Sequence, residues 1–254
     1  MTRVLESQFF TPIELDFLWE ALGAADLPFP LTLKQHGETE GHRSMLRRDT
    51  MTALAARHLV SMTGRLDAEL EDLLTVLARP DTAIDSLFLP EDGTEQAVAA
   101  WAGRIGDNAV VVVQNDQGIE LRQVRADAMA GELVAMLPAE RRGTETSVSL
   151  PVGEFTIGAV RRRAASESEQ HSREIAYRLL AEPNVRYGEF AVSARDPLHG
   201  TMVRTPVLTW SDKASGRYIS YVRAGWRTIA PADAAMIRHQ LGEMTADVQR
   251  LAAG

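Results

Sequence analysis

Leu77-Ala78-Arg79-Pro80 and Leu180-Ala181-Glu182-Pro183 are the two stretches on which the reading of the fold turns. Each closes an amphipathic segment, because proline disfavours helical geometry in the residue before it. After each comes a run of extended segments and a short apolar strand. Then comes Arg125-Ala126-Asp127-Ala128 or Pro231-Ala232-Asp233-Ala234, followed by another amphipathic stretch. One long unit therefore occurs twice. Two long copies imply pseudo-two-fold symmetry rather than a solenoid of short repeats.

The helices follow from apolar spacing. Leu66, Leu70, Leu73, Leu74 and Leu77 share one helical face, as do Ala130, Leu133, Val134 and Leu137. Ile237, Leu241, Met244, Val248 and Leu251 repeat the pattern near the C-terminus, and Leu15, Leu18, Trp19 and Leu22 near the N-terminus. Thr11, Pro12 and Glu14 supply the last of these with an N-cap, a first-turn proline and a capping box.

Short β-rich runs lie between the helices. In the first half they are Phe29–Lys34, Ile84–Leu89, Val110–Gln114 and Ile119–Val124, with turns at Glu91-Asp92-Gly93 and Asp116-Gln117-Gly118. In the second half they are Tyr187–Ser193, Met202–Trp210, Arg217–Val222 and Trp226–Ile229, separated by sequences of hairpin length. Gln96–Gly103 is alanine-rich, and propensity alone makes it a helix. The repeat makes it a strand, because Trp101 falls where Trp210 falls, and the repeat prevails. Trp210 and Trp226 are expected to be core anchors. His36–Ser44 and Arg161–Ser172 are polar and are expected to be exposed. The order helix, antiparallel meander, helix, twice over, predicts an α+β fold rather than a parallel sheet. It predicts one domain of two pseudo-symmetric halves, about 1–160 and 173–254, joined by a polar linker 161–172.

Composition excludes several function classes. The chain has 254 residues, 45% of them hydrophobic, and a net charge of −8. The acidic balance disfavours a general nucleic-acid binder. With no cysteine, thiolate catalysis, disulfides and cysteine-ligated metals are excluded. No apolar run reaches the length of a membrane span. Met1–Phe10 lacks the uninterrupted apolar core of a signal peptide, which predicts a cytoplasmic protein.

Catalytic motifs are missing. Neither phosphate-binding glycine loop occurs, nor G-x-S-x-G, nor H-E-x-x-H. His36-Gly37-Glu38-Thr39-Glu40-Gly41-His42 holds four side chains of metal-ligand type, but a polar loop accounts for it better. His58, His171, His199 and His239 show no common spacing. Ser211-Asp212 is explained by turn chemistry, and Arg161-Arg162-Arg163 by a solvated charge run. No catalytic, cofactor or metal residues are therefore assigned.

Thr11-Pro12-Ile13-Glu14-Leu15-Asp16-Phe17-Leu18-Trp19-Glu20-Ala21-Leu22 and Leu27-Pro28-Phe29-Pro30-Leu31 resemble the N-terminal segment of the EspG family. Asp67-Ala68-Glu69-Leu70 leading to Leu77-Ala78-Arg79-Pro80 is similar to that family too. So are Trp210-Ser211-Asp212, Gly216-Arg217-Tyr218-Ile219 and Trp226-Arg227-Thr228-Ile229-Ala230-Pro231-Ala232-Asp233. The blocks occur in the family's order over most of the chain. The resemblance implies a central antiparallel sheet with two helical bundles and a quasi-two-fold axis. It implies a cytosolic chaperone of type VII (ESX) secretion, which binds the tip of the PPE subunit in a PE–PPE helical pair, keeps the pair soluble and directs it to an ESX system. It implies no cofactor and no enzymatic activity.

Such a surface needs an apolar centre and a polar rim. The expected contact residues are Phe190, Val192, Thr209, Tyr218, Ser220 and Val222, with the C-terminal helix alongside; sequence alone leaves open which sheet face points outward. The free chain is expected to be a monomer or a weak homodimer. The alternative is a small-ligand sensor or enzyme with a cleft between the two halves. A third reading is a structural dimer paired through a sheet edge.

Overall fold

The structure, a computed structural model, describes residues 7–90, 96–155 and 166–254. The first half contains strand β1 (Gln8–Phe10) and helices α1 (Pro12–Leu22), α2 (Glu40–Ala56) and α3 (Ala68–Ala78). It continues with β2 (Thr82–Leu89), β3 (Val98–Ile105), β4 (Asn108–Asn115), β5 (Gly118–Arg125) and α4 (Met129–Ala135). The second half contains β6 (Val148–Pro151), α5 (Glu167–Ala181), β7 (Arg186–Arg195), β8 (Met202–Arg204), β9 (Leu208–Lys213), β10 (Gly216–Arg223), β11 (Trp226–Pro231) and α6 (Ala234–Ala252).

The sheet order is β1-β5-β4-β3-β2-β7-β9-β10-β11-β6, with β8 beside β7. Read from either edge, the order is an edge strand and then a four-stranded meander in reverse. The two meanders meet where β2 and β7 pair antiparallel from Thr82↔Ala194 to Leu89↔Tyr187. That arrangement is the quasi-two-fold axis, and the α+β fold with a large antiparallel sheet is as the sequence predicts.

Side chains alternate between the two faces. One face carries Ile84, Ala102, Val111, Phe190, Val192, Leu208, Trp210 and Ile219, covered by α4 and α6. The other face is covered in two separate places. Over the first half, α1 and α3 bury Trp101, Val110, Val112, Ile119 and Leu121. Over the second half, α5 packs with Val148, Leu150, Tyr218 and Ile229. Each fully buried leucine of α3 contributes on the order of 2 kcal/mol.

Local chemistry sets the helix starts. Thr11 Oγ1 accepts from the Glu14 N–H while the Glu14 carboxylate accepts from the Thr11 N–H at 2.8 Å, the expected capping box. The side chains of Asp67, Ser166 and Asp233 accept first-turn N–H groups of α3, α5 and α6 as simple N-caps.

Several expectations are corrected. Phe29–Lys34 forms no strand; the Thr32 backbone instead bonds both ends of the Gln114 amide. His36–Ser44 is not all loop: Thr39 caps α2, so Glu40–Ser44 are helical. Met202–Trp210 is split into β8 and β9 around Pro206, which has no N–H for the ladder. Ser211 and Asp212 lie in β9, not in a turn. Trp101 and Trp210 occupy corresponding strands but opposite faces, because a one-residue difference in register reverses a side chain. Trp226 is half exposed rather than a core anchor, and Leu251 is exposed while Ala252 turns inward. Residues 167–172, read as linker, are the first turns of α5. Glu91-Asp92-Gly93 and Arg161-Arg162-Arg163 lie outside the described residues.

Two buried carboxylates brace the frame. Asp212, fully buried, takes a bidentate pair from Arg217 at 2.6 and 2.8 Å and a third contact from Arg186 at 3.1 Å. Arg217 also donates to the Pro138 carbonyl and stacks 4.9 Å from the Trp210 ring. Asp16 on α1 accepts two bonds from Arg43 on α2, at 2.8 and 3.0 Å, and the His36 N–H at 2.7 Å. Burial pushes the Asp16 carboxyl up, but the hydrogen bonds from Arg43 and His36 outweigh it and hold it below its usual range.

The Asp212→Ala variant, which strands two arginines, should lose about 3–5 kcal/mol in chemical unfolding. A depressed folded-state pKa contributes stability above the unfolded value and loses it as pH falls through the folded value. Thermal melts of wild type and Asp16→Asn should therefore differ most near neutral pH. The difference should shrink steadily below about pH 4, the unfolded range for Asp.

Candidate partner-binding surface

The face opposite α4 and α6 is where the structure leaves sheet uncovered. Between α3 and α5 run the central strands β2, β7 and β9. On this face their outward residues include Leu87, Tyr187, Glu189 and Thr209, with Ser220 following on β10. The parity is fixed by the pairs Glu189↔Thr209 and Thr209↔Ser220, which place these residues in one row across three strands.

A groove of about 260 Å³ lies where α5 overhangs this row. Leu179 and Leu180 form its helical wall, and Thr209, Tyr218, Ser220 and Ile229 contribute from the sheet. Tyr187 stands at its mouth, 51% exposed, and Leu180 is 54% exposed on the opposite lip. The Ser220 hydroxyl is buried with no hydrogen-bond partner. At one end Lys213 Nζ donates to the Glu182 carbonyl at 2.7 Å and to Asn184 Oδ1 at 2.8 Å. Burial pushes the Lys213 ammonium down from its ordinary value, opposed by the charge of Glu182. The Glu182 carboxylate itself is held by the Ser215 hydroxyl and N–H.

The six contact residues expected from sequence are divided between the two faces. Phe190 and Val192 are fully buried against α6 on the covered face and offer nothing to a partner. Tyr218 is on the open face but lies beneath α5, with its hydroxyl accepting the Thr144 and Glu145 N–H groups at 3.0 and 3.1 Å. Thr209, Ser220 and Val222 share the open face and remain partly exposed. The helix beside them is α5, not the C-terminal α6, which packs on the far side. Tyr187 and Leu180, which the sequence reading does not single out, also line the groove. Leu180 is exposed beside buried Leu179 because consecutive residues lie about 100° apart around a helix.

Two other hollows are less suited to a protein partner. One of about 550 Å³ adjoins Thr32 and Gln114, whose polar groups already bond each other. One of about 300 Å³ lies between the halves at Phe29, Met202 and the Asp85–Arg204 pair, with Arg204 also over the Phe29 ring. Burial pushes the Asp85 carboxyl up, against the hydrogen bond from Arg204. The His36–His42 loop does not converge: His36 turns to Asp16 while His42 enters the first turn of α2. Among the described residues, no group of three or more His, Asp or Glu could hold a metal ion. Among the same residues, no helix is long and apolar enough to cross a membrane.

The comparisons with known proteins agree with this architecture. A model of the EspG family matches residues 11–243. No curated protein matches the chain. Among solved structures, the chain is similar to the Mycobacterium tuberculosis type VII secretion system chaperone EspG5, solved in complex with a PE25-PPE41 dimer. The TM-score is 0.70 at 14% identity, over 96% of each chain; at that identity the likeness concerns the fold.

If Tyr187 is surface and Tyr218 is scaffold, their substitutions should separate in unfolding experiments on the chain alone. Tyr187→Ser should stay within about 0.5 kcal/mol of wild type. Tyr218→Phe leaves the Thr144 and Glu145 N–H groups without their acceptor and should cost about 1–3 kcal/mol, the net worth of two ordinary hydrogen bonds.

Proposed function

The chain belongs to the EspG family, and from that premise we propose that it is a chaperone of type VII (ESX) secretion. It binds the apolar tip of a helical PE–PPE-type pair in the cytoplasm, keeps the pair soluble and directs it to an ESX system. The observation that carries this reading is the groove under α5, an apolar depression with exposed Tyr187 and Leu180 on its rim.

The physics of the task suits that surface. A helical tip with contiguous apolar side chains aggregates unless it is covered. Cover of useful strength buries roughly 1,200–2,000 Å² in total, much more than the groove alone. The groove therefore serves as the anchoring centre, with the row Leu87, Glu189 and Thr209 and the outer turns of α5 as its surround. Binding is the use this reading assigns to these residues. The groove lining contains no histidine and no carboxylate among the described residues to act as a base beside Ser220 or Thr209.

Co-expression with helical PE–PPE-type gene pairs of the same genome, followed by size-exclusion chromatography with light scattering, tests the proposal. The expected result is a stable ternary complex that keeps an otherwise insoluble pair in solution. Tyr187→Asp and Leu180→Asp should each weaken that complex by at least about 2 kcal/mol, a hot-spot loss. Pairs that stay insoluble, or elute separately from the chain, would contradict it.

A further inference from the structure

The cavity of about 300 Å³ at the seam between the halves lies at the far end of β7 from the groove. Leu77 and Pro80, at the C-terminal end of α3, contribute from the first half, and Met202 and Arg204 of β8 from the second. Ala83 of β2 and Ser193 of β7, paired across the seam, contribute from the sheet. Phe29 is half exposed beside them, with the Arg204 guanidinium 5.6 Å from its ring. The lining is mostly apolar. The size falls at the lower end of the range for small-ligand sites, roughly 300–1,000 Å³.

The charge of Arg195 distinguishes this cavity. Arg195 is half-buried in the lining. Its Nε donates to the Pro80 carbonyl at 3.1 Å and its Nη1 to the Gly200 carbonyl at 2.8 Å, so the guanidinium is held in a fixed direction. Both partners are neutral, and among the described residues no carboxylate pairs with it and Nη2 has no acceptor. A charge taken out of water costs free energy unless it is paired. Arg204 is already committed to Asp85, at 2.6 and 3.3 Å. Asp26, the other carboxylate of the lining, is exposed, where solvent and salt screen it. An unmatched cation among apolar side chains is complementary to an anion with an apolar body, and a guanidinium fits a planar carboxylate best.

We propose that this cavity binds a small amphipathic carboxylate, with its head on Arg195 and its body among Leu77, Met202 and Phe29. The site is separate from the groove and does not depend on the chaperone reading. A ligand there touches α3 of the first half and β8 of the second, and so ties the halves together.

The test uses the chain alone at neutral pH, with octanoate as the probe and octanamide as its uncharged counterpart, in thermal melts and titration calorimetry. Octanoate should raise Tm as its concentration rises, since it binds only the folded chain. Octanamide should bind at least about tenfold more weakly, the loss of a charge-assisted contact. Arg195→Gln should weaken octanoate by a similar factor, and Ser193→Leu, which fills the cavity, should abolish the binding of both probes. Tyr187→Ser, in the groove, should leave octanoate binding unchanged. If Arg195→Gln does not fold, the comparison of the two probes and the Ser193→Leu variant still decide. Octanoate that does not bind the wild-type chain, binds no better than octanamide, or is lost in Tyr187→Ser and kept in Ser193→Leu would overturn the proposal.

Discussion

The antiparallel pairing of β2 with β7 is the constraint on which the rest of the structure depends. It joins two meanders into one ten-stranded path with a common covered face. Along that face Ile84, Phe88, Phe190 and Val192 come from the two halves and meet beneath α6. A slip of β7 by one residue in this register would turn Phe190 and Val192 outward and place Glu189 and Ala191 inward. The buried network of Asp212, Arg217 and Arg186 then fixes the second meander against the segment that follows α4. It contributes definition of geometry more than net stability, since desolvating such charges offsets much of their attraction.

Symmetry in the sheet makes the asymmetry in the helices informative. Between its edge strand and α3 the first half carries two helices, α1 and α2, with no counterpart among the described residues between β6 and α5. Ion pairs from Asp16 and Glu20 to Arg43 hold α1 and α2 together. The first half is thereby closed on the face that the second half leaves partly open. The proposed chaperone role requires such an opening if the chain is to cover another protein's apolar tip, and the groove beneath α5 is the candidate for it.

Much of this architecture is legible in the sequence, and the gaps have physical causes. The leucine stripe of α3, the capping box at Thr11 and Glu14, and both meanders follow from period and turn chemistry. The alanine-rich β3 is recovered only because its repeat partner is plainly a strand. Helix α2 escapes because few of its residues, Thr50 and Leu54 among them, are buried, so it has almost no apolar stripe to detect. Asp212 escapes because its partners, five residues ahead and in another strand, are assembled only by the sheet. Of the residues read as a contact surface, Thr209, Ser220 and Val222 share the open face, whereas the burial of Phe190 and Val192 depends on which face α6 takes. Tyr187 and Leu180 become visible only once the lie of α5 is known.

Hydroxyl-radical footprinting of the chain, alone and in complex with a PE–PPE-type pair, tests the central claim most directly. Tyr187 and Leu180 are half exposed in the free chain, as is Trp226 on the opposite face. The account predicts that Tyr187 and Leu180 lose their reactivity in the complex while Trp226 and Leu198 keep theirs. A complex in which Tyr187 and Leu180 react as they do in the free chain would contradict it, and would place the partner on another surface.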